Sequence, residues 1–98
     1  MKWSLEEDNI CCKVCVDEYV INKRHMNVDF CLGLIMKNPR VCKAPGSIRM
    51  RIQNIKAILE EWEIPNTLYV SPLKNTAWQT RVALRGYLNE QGLFYDKI

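Results

Sequence analysis

The sequence contains one histidine, His25, and its four glycines are scattered along the chain. Nucleophilic catalysis would require His25 to meet a Ser or Cys from a distant segment, and a phosphate-binding loop requires clustered glycines. A metal nuclease site of the HNH type needs more than one histidine. We therefore expect no catalytic residues, no cofactor and no enzymatic activity.

Long hydrophobic runs are also missing, since none approaches the roughly 20 residues that cross a membrane. The first four residues lead directly into acidic residues, which is not typical of a secretion signal. The five cysteines are odd in number and two of them are adjacent, unlike the paired cysteines of a secreted disulfide scaffold. These features predict a cytoplasmic protein with free thiols and no membrane partner.

Acidic residues are absent between Asp29 and Glu60, although six Lys or Arg residues lie there. Residues 1–22 have the opposite balance, with five acids and two lysines. A basic segment of this kind favours an anionic partner. The alternative is that these side chains only keep the surface solvated.

Apolar residues recur at helical spacing in four segments, which predicts an all-α domain. The predicted helices run from residue 5 to about 22, from 28 to 37, from 47 to 62 and from 76 to 90, with caps at Ser4, Ser47 and Asn75. Residues 1–62 are expected to form a helix-turn-helix-like three-helix core. Residues 63–98 add a linker, a fourth helix and a packed tail, and residues 68–70 are either a short strand or an extended link. The inward faces are predicted to include Leu5, Cys12, Cys15, Val16, Tyr19, Phe30, Leu34, Ile48, Ile52, Ile55, Leu59 and Trp62.

The third predicted helix has a polar face opposite its isoleucines, formed by Arg49, Gln53 and Lys56. Arg and Lys can contact guanine or phosphate in a major groove, and Gln can pair with adenine. A helix N-terminus also binds phosphate, and flanking basic residues can contact the DNA backbone. The predicted DNA-binding residues are Arg40, Lys43, Ser47, Arg49, Arg51, Gln53 and Lys56.

The opening Trp3-Ser4-Leu5-Glu6-Glu7-Asp8 resembles the W-[ST]-x-E-E-D start of Myb/SANT-like domains. This resemblance implies that Trp3 joins the core and that a third helix, starting with Ser47-Ile48-Arg49-Met50, enters the major groove of duplex DNA. Together with Ser71-Pro72-Leu73, the opening is also similar to the N-terminal segment of uncharacterised bacterial and phage proteins that carry a downstream HNH nuclease domain. The chain would then be a targeting module without its nuclease, or a free-standing phage protein.

A second candidate surface lies on the fourth predicted helix, where Trp78, Val82 and Arg85 share a face. An exposed Trp beside an Arg is a common interface anchor. The alternative function is therefore a small phage-encoded module that binds and inhibits a host or defence nuclease, as anti-CRISPR proteins do. The competing interpretation is that Phe94 and Tyr95 cover this face, because large exposed apolar patches are unusual.

The segment Cys12-Lys13-Val14-Cys15 has the C-x-x-C spacing of a zinc site, and His25, Cys31 and Cys42 could supply further ligands. Because Cys12 and Cys15 fall on the inward face of a predicted helix, core thiols are the preferred interpretation and no metal site is predicted. The sequence leaves the oligomeric state open.

Overall fold

The computed structural model describes residues 2–94, which contain helices and no strand. The helices are α1 (Leu5–Cys15), α2 (Val28–Met36), α3 (Pro45–Glu61) and α4 (Trp78–Glu90), and a π-helical segment, Val16–Ile21, continues α1. The all-α class is therefore confirmed. Residues 68–70 are an irregular link between α3 and α4, not a strand. The packed tail predicted at Tyr95 lies outside the described residues.

The helix α1 begins where its sequence predicts, at a capping box. The Glu7 backbone N–H donates to Ser4 Oγ, and the Ser4 N–H donates to Glu7 Oε1, both at 3.0 Å. Acidic residues in this first turn also complement the helix dipole. The prediction that Leu5 points inward is wrong, because Leu5 is 49% exposed beside α4.

The π-helical segment follows from a buried stripe that repeats every four residues. In an α-helix of 3.6 residues per turn, such a stripe rotates by about 40° at each repeat. The wider π turn, with bonds such as Asn22 N–H to Asp17 O at 2.9 Å, opposes this rotation. The stripe thus stays on the core along its whole length, burying Cys11, Cys12, Cys15, Val16, Tyr19 and Val20.

The helices α2 and α3 supply the other main part of the core. The four aliphatic residues predicted to turn inward from α3 (Ile48, Ile52, Ile55 and Leu59) are all buried, and Trp62 packs against them while partly exposed. The prediction for α2 is wrong for Phe30 and Leu34. The Asn27 cap sets a register in which Val28, Cys31 and Ile35 are buried, while Phe30 and Leu34 are only partly covered.

Two predicted helix caps are wrong. The helix α3 begins at Pro45, which needs no N–H partner at the first helical position, and Ser47 lies exposed inside the first turn. The helix α4 begins at Trp78, not after Asn75, because Asn75 belongs to a link that is bonded to α3. The side-chain amide of buried Asn54 donates to Leu73 O at 2.7 Å and to Asn75 O at 3.4 Å. These bonds hold residues 64–77 against α3.

Candidate interaction surfaces

The basic residues predicted to bind DNA all lie beside carboxylates of the same chain. At the surface, Arg40 Nη1 is 3.1 Å from Glu6 Oε2, and the guanidinium of Arg49 pairs with Asp29. Lys43 Nζ, on a side chain that is only 8% exposed, is 3.8 Å from Glu7 Oε1. Acids of the N-terminal segment therefore pair with Arg40 and Lys43, while Arg49 pairs with an acid of α2.

Arg51, predicted to lie on the flank of the third helix facing a DNA backbone, is instead 8% exposed. Its Nη1 donates to Thr80 Oγ1 at 2.6 Å, and its Nε lies 3.2 Å from an oxygen of the fully buried Asp8. The guanidinium carbon is 4.5 Å from the centroid of the Trp3 ring, which is partly buried against the core. Arg51 therefore joins α1, α3 and α4 internally and presents no cation to a partner.

The irregular link between α3 and α4, residues 64–77, partly covers Gln53 and Lys56 of the predicted DNA-binding face. Gln53 Nε2 donates to Ser71 O at 3.2 Å, and Lys56 Nζ donates to Asn66 Oδ1 at 3.0 Å. Lys56 Nζ also lies 3.4 Å from Glu60 Oε1. The helical spacing of these residues could not reveal that a later, irregular segment crosses them.

The predicted DNA-binding residues that remain exposed lie at or near the N-terminal end of α3. Arg40, Ser47 and part of Arg49 reach solvent. The Ile48 N–H, which was expected to be available to phosphate, donates to Ala44 O at 3.1 Å. The predicted site is thus reduced to a small edge of the molecule.

The Trp78 face of α4 is open to solvent. Trp78 is 78% exposed, and Val82, one turn further along, is 47% exposed. Phe94 instead packs on Trp62, with ring centroids 4.8 Å apart, and lies 5.7 Å from the exposed Arg85 guanidinium. Phe94 thus lies over the Arg85 end of the predicted face but leaves Trp78 and Val82 exposed, and the part of the prediction that concerned Tyr95 falls on a residue that is not described.

A groove of about 820 Å³ runs between α1 and α4, next to Trp78. The two helices point in the same direction, since Asp8 contacts Thr80 near their beginnings and Asp17 contacts Tyr87 further along. A Cβ added at Gly86 would meet no atom within 4 Å, so the floor of the groove is open there. The lining residues are Leu5, Asn9, Lys13, Val82, Ala83, Gly86, Tyr87, Glu90 and Gln91. Sequence reasoning found Val82 but missed Leu5 and Gly86, because Leu5 matched the inward pattern and Gly86 gave no signal.

The groove is apolar near Leu5 and Val82 and polar at its other end. There, Lys13 Nζ lies 3.4 Å from both the Tyr87 hydroxyl and Asp17 Oδ2, and the Tyr87 hydroxyl donates to Asp17. Hydrogen bonding to Tyr87 and the charge of Asp17 raise the pKa of Lys13 above its ordinary value. The Lys13 ammonium is therefore charged at neutral pH, but it is paired with Asp17, and Glu90 adds a carboxylate to the groove lining.

The cysteines lie mainly in the core. Cys11, Cys12, Cys15 and Cys31 are fully buried, whereas Cys42 is exposed. Burial raises the pKa of Cys11 to about 12, which leaves its thiol protonated. Among residues 2–94, no cluster of three or more His, Cys, Asp or Glu side chains has an arrangement suited to a metal ion.

None of the helices in the described part of the chain combines the length and hydrophobicity that crossing a bilayer requires. Comparison with known proteins gave no match to a family model, to a curated protein or to a solved structure.

Proposed function

We propose that this chain is a protein-interaction module that binds an amphipathic helix of a partner protein in the α1–α4 groove. The observation that carries the proposal is Trp78, which is 78% exposed at the start of α4, one helical turn before the groove residue Val82. Tryptophan is enriched among the residues that dominate binding energy at protein interfaces. Leu5 and Val82 extend the apolar surface around it.

The shape of the groove favours a helix as its occupant. Rows of residues spaced four apart line it, with Leu5, Asn9 and Lys13 on one side and Val82, Gly86 and Glu90 on the other. Eight residues of helix extend about 12 Å, so the groove is slightly longer than two helical turns. Ridges at this spacing accept the side chains of a third helix, and the absent side chain at Gly86 leaves room for a large one.

The chemistry of the groove specifies the partner further. Its apolar end requires an apolar stripe on the partner helix, and the charged side chains of Lys13 and Glu90 favour polar residues elsewhere on that helix. A host or defence nuclease, the partner class predicted for the Trp78 face, is the one to test first.

The test is capture of partners from nuclease-treated bacterial lysate on immobilised wild-type protein and on matched variants. Trp78→Ala should lose the captured protein, while Tyr69→Ala should retain it. Tyr69 is the matched control because it is an equally exposed aromatic residue, 93% accessible, beside a different pocket. Gly86→Leu should also abolish capture by filling the groove.

Equal capture by wild type, Trp78→Ala and Gly86→Leu would refute the proposal. If the wild-type protein self-associates as its concentration rises and Trp78→Ala abolishes this, the groove binds a second copy of the chain and not a partner helix. Crosslinking from a photoreactive residue at position 82 identifies the bound segment of the partner, and circular dichroism of the matching peptide then shows whether that segment is helical.

DNA binding by a helix-turn-helix-like core is the second candidate. It is favoured by the exposed start of α3, which has no acid in its first turn, and by the exposed Arg40 and Arg49. Exposed ion pairs contribute only about 0–1 kcal/mol, so phosphate can replace Glu6 and Asp29 at low cost. The binding surface would then be Arg40, Ser47 and Arg49, without Arg51.

A fluorescence anisotropy titration with duplex DNA at low and moderate salt tests this candidate. Affinity should fall steeply with salt. Gly46→Glu should weaken binding by repelling phosphate, yet keep the fold, since a Cβ at Gly46 meets no atom within 4 Å and an acid suits the first turn. Absence of binding by folded wild type at low salt would eliminate this candidate.

A further inference from the structure

Two buried thiols face each other across the interface between α1 and α2. Cys15 Sγ and Cys31 Sγ are 3.5 Å apart, and both residues are fully buried. We propose that Cys15 and Cys31 are an oxidation site at which a low-molecular-weight disulfide produces a reversible intramolecular disulfide that ties α1 to α2.

The geometry places these two sulfur atoms in van der Waals contact. A disulfide has an S–S length near 2.05 Å, so the two sulfurs must approach by about 1.5 Å, a movement shared between two side chains. Cys15 is the last residue of α1 and Cys31 lies within α2, sixteen residues later. The disulfide would therefore join the ends of a short loop that the native fold already holds together.

Two of the other thiols are directed elsewhere. Cys12 Sγ donates to Thr80 O at 3.9 Å on the α4 side, and Cys42 Sγ donates to Pro39 O at 3.9 Å at the surface. Cys11 is buried and close enough to Cys31 to interact with it electrostatically, but the thiols in hydrogen-bonding contact are those of Cys15 and Cys31. The arrangement thus favours the Cys15–Cys31 pair over other pairings.

The reaction is two successive thiol–disulfide exchanges. One protein thiol loses its proton and attacks the oxidant, which forms a mixed disulfide and releases one small thiol. The second protein thiol then loses its proton and attacks the protein sulfur of that mixed disulfide, which forms the Cys15–Cys31 bond and releases the second small thiol. The protein gives up two electrons, and the oxidant is reduced by the same two.

Burial controls the rate of this reaction. The hydrogen bond with Cys31 and desolvation raise the pKa of Cys15 well above its ordinary value, so the closed structure holds little thiolate. Oxidation therefore proceeds through local opening between α1 and α2, and reduction of the buried disulfide by a small thiol requires the same opening.

The test is incubation of the folded protein with oxidised glutathione, followed by blocking of free thiols and non-reducing peptide mapping. The expected product is a peptide pair joined through Cys15 and Cys31, with the intact mass reduced by two hydrogen atoms. The thermal midpoint should rise by on the order of 10 °C and return to its original value with dithiothreitol. Cys31→Ala should abolish the internal bond, whereas Cys12→Ala, a matched buried thiol, should retain it.

Internal bonds through Cys11 or Cys12 in wild type would overturn the assignment, and so would glutathionylation of Cys42 with no internal bond. The wild-type peptide map decides the question even if a variant fails to fold. The result is independent of the proposed partner helix, because neither cysteine lines the groove.

Discussion

Replacing Asp8 with alanine removes the carboxylate that compensates the buried charge of Arg51. Asp8 also accepts hydrogen bonds from Thr80 Oγ1 at 3.1 Å and from Gln79 Nε2 at 2.8 Å. Removing one partner of a buried ion pair costs about 3–5 kcal/mol, because the other charge stays buried without compensation. Since small domains have about 5–15 kcal/mol of total stability, Asp8→Ala should leave the protein marginally folded.

Thermal denaturation followed by circular dichroism measures this loss of stability. For a domain of this size, each kcal/mol lowers the thermal midpoint by roughly 4–8 °C, so a fall of more than about 12 °C is expected. The control is Glu6→Ala, on the same helix turn, whose carboxylate pairs with Arg40 at an exposed site. Its loss should cost less than about 1 kcal/mol.

A double variant, Asp8→Leu with Arg51→Met, separates an unpaired charge from lost packing. Replacing a whole buried pair by apolar residues is often neutral or stabilising, so the double variant should recover part of the loss seen in Asp8→Ala. If Asp8→Ala lies within about 1 kcal/mol of wild type, the reasoning is refuted. Arg51 would then be able to reach solvent, and its exclusion from the DNA-binding surface would no longer hold.

Three further predictions concern the groove, the cap and the thiols. Gly86→Ala and Gly33→Ala should each raise the free energy of unfolding by about 1 kcal/mol in urea melts, because both glycines lie in helices with open space at Cβ. A loss of stability at Gly86 alone would show that the groove has no room for the added methyl group. The pKa of Glu7 is held below its ordinary value of 4.5, chiefly by the Ser4 backbone N–H. Its contribution to stability is therefore complete above that value and is lost as pH falls through the lower folded pKa, so Glu7→Gln should flatten the acid side of a stability–pH curve, and an unchanged slope would contradict this. A thiol reagent added to native protein should label Cys42 quickly and the other four cysteines only on unfolding; fast labelling of a second thiol would contradict their burial.

Local sequence patterns were sufficient to predict the helices and much of the core. The Ser4–Glu7 capping box fixes the start of α1 through bonds between residues three apart. The isoleucines of α3 are buried as their spacing predicts. Such features depend on neighbouring residues alone, so one sequence contains all the information they need. The face of α2 was harder to predict, because almost every residue of that helix is apolar and no polar side marks its exposed face.

The candidate sites depended on contacts between distant segments. The acid-free run between Asp29 and Glu60 indicated a basic surface only as long as the acids of α1 were assumed to lie elsewhere. In the folded chain, Asp8 meets Arg51 and Glu7 meets Lys43, and the link between α3 and α4 covers Gln53.

The sequence by itself therefore determined which segments are helical and that α3 turns its isoleucines inward, because helical periodicity and capping act over a few residues. The tertiary structure alone decided that Arg51 is internal, that Leu5 is outside and that Gly86 opens a groove beside Trp78. Those outcomes depend on how α1 and α4 pack together. The contacts between these two helices join residues about 70 positions apart in the sequence. No local sequence pattern encodes an interaction over that separation.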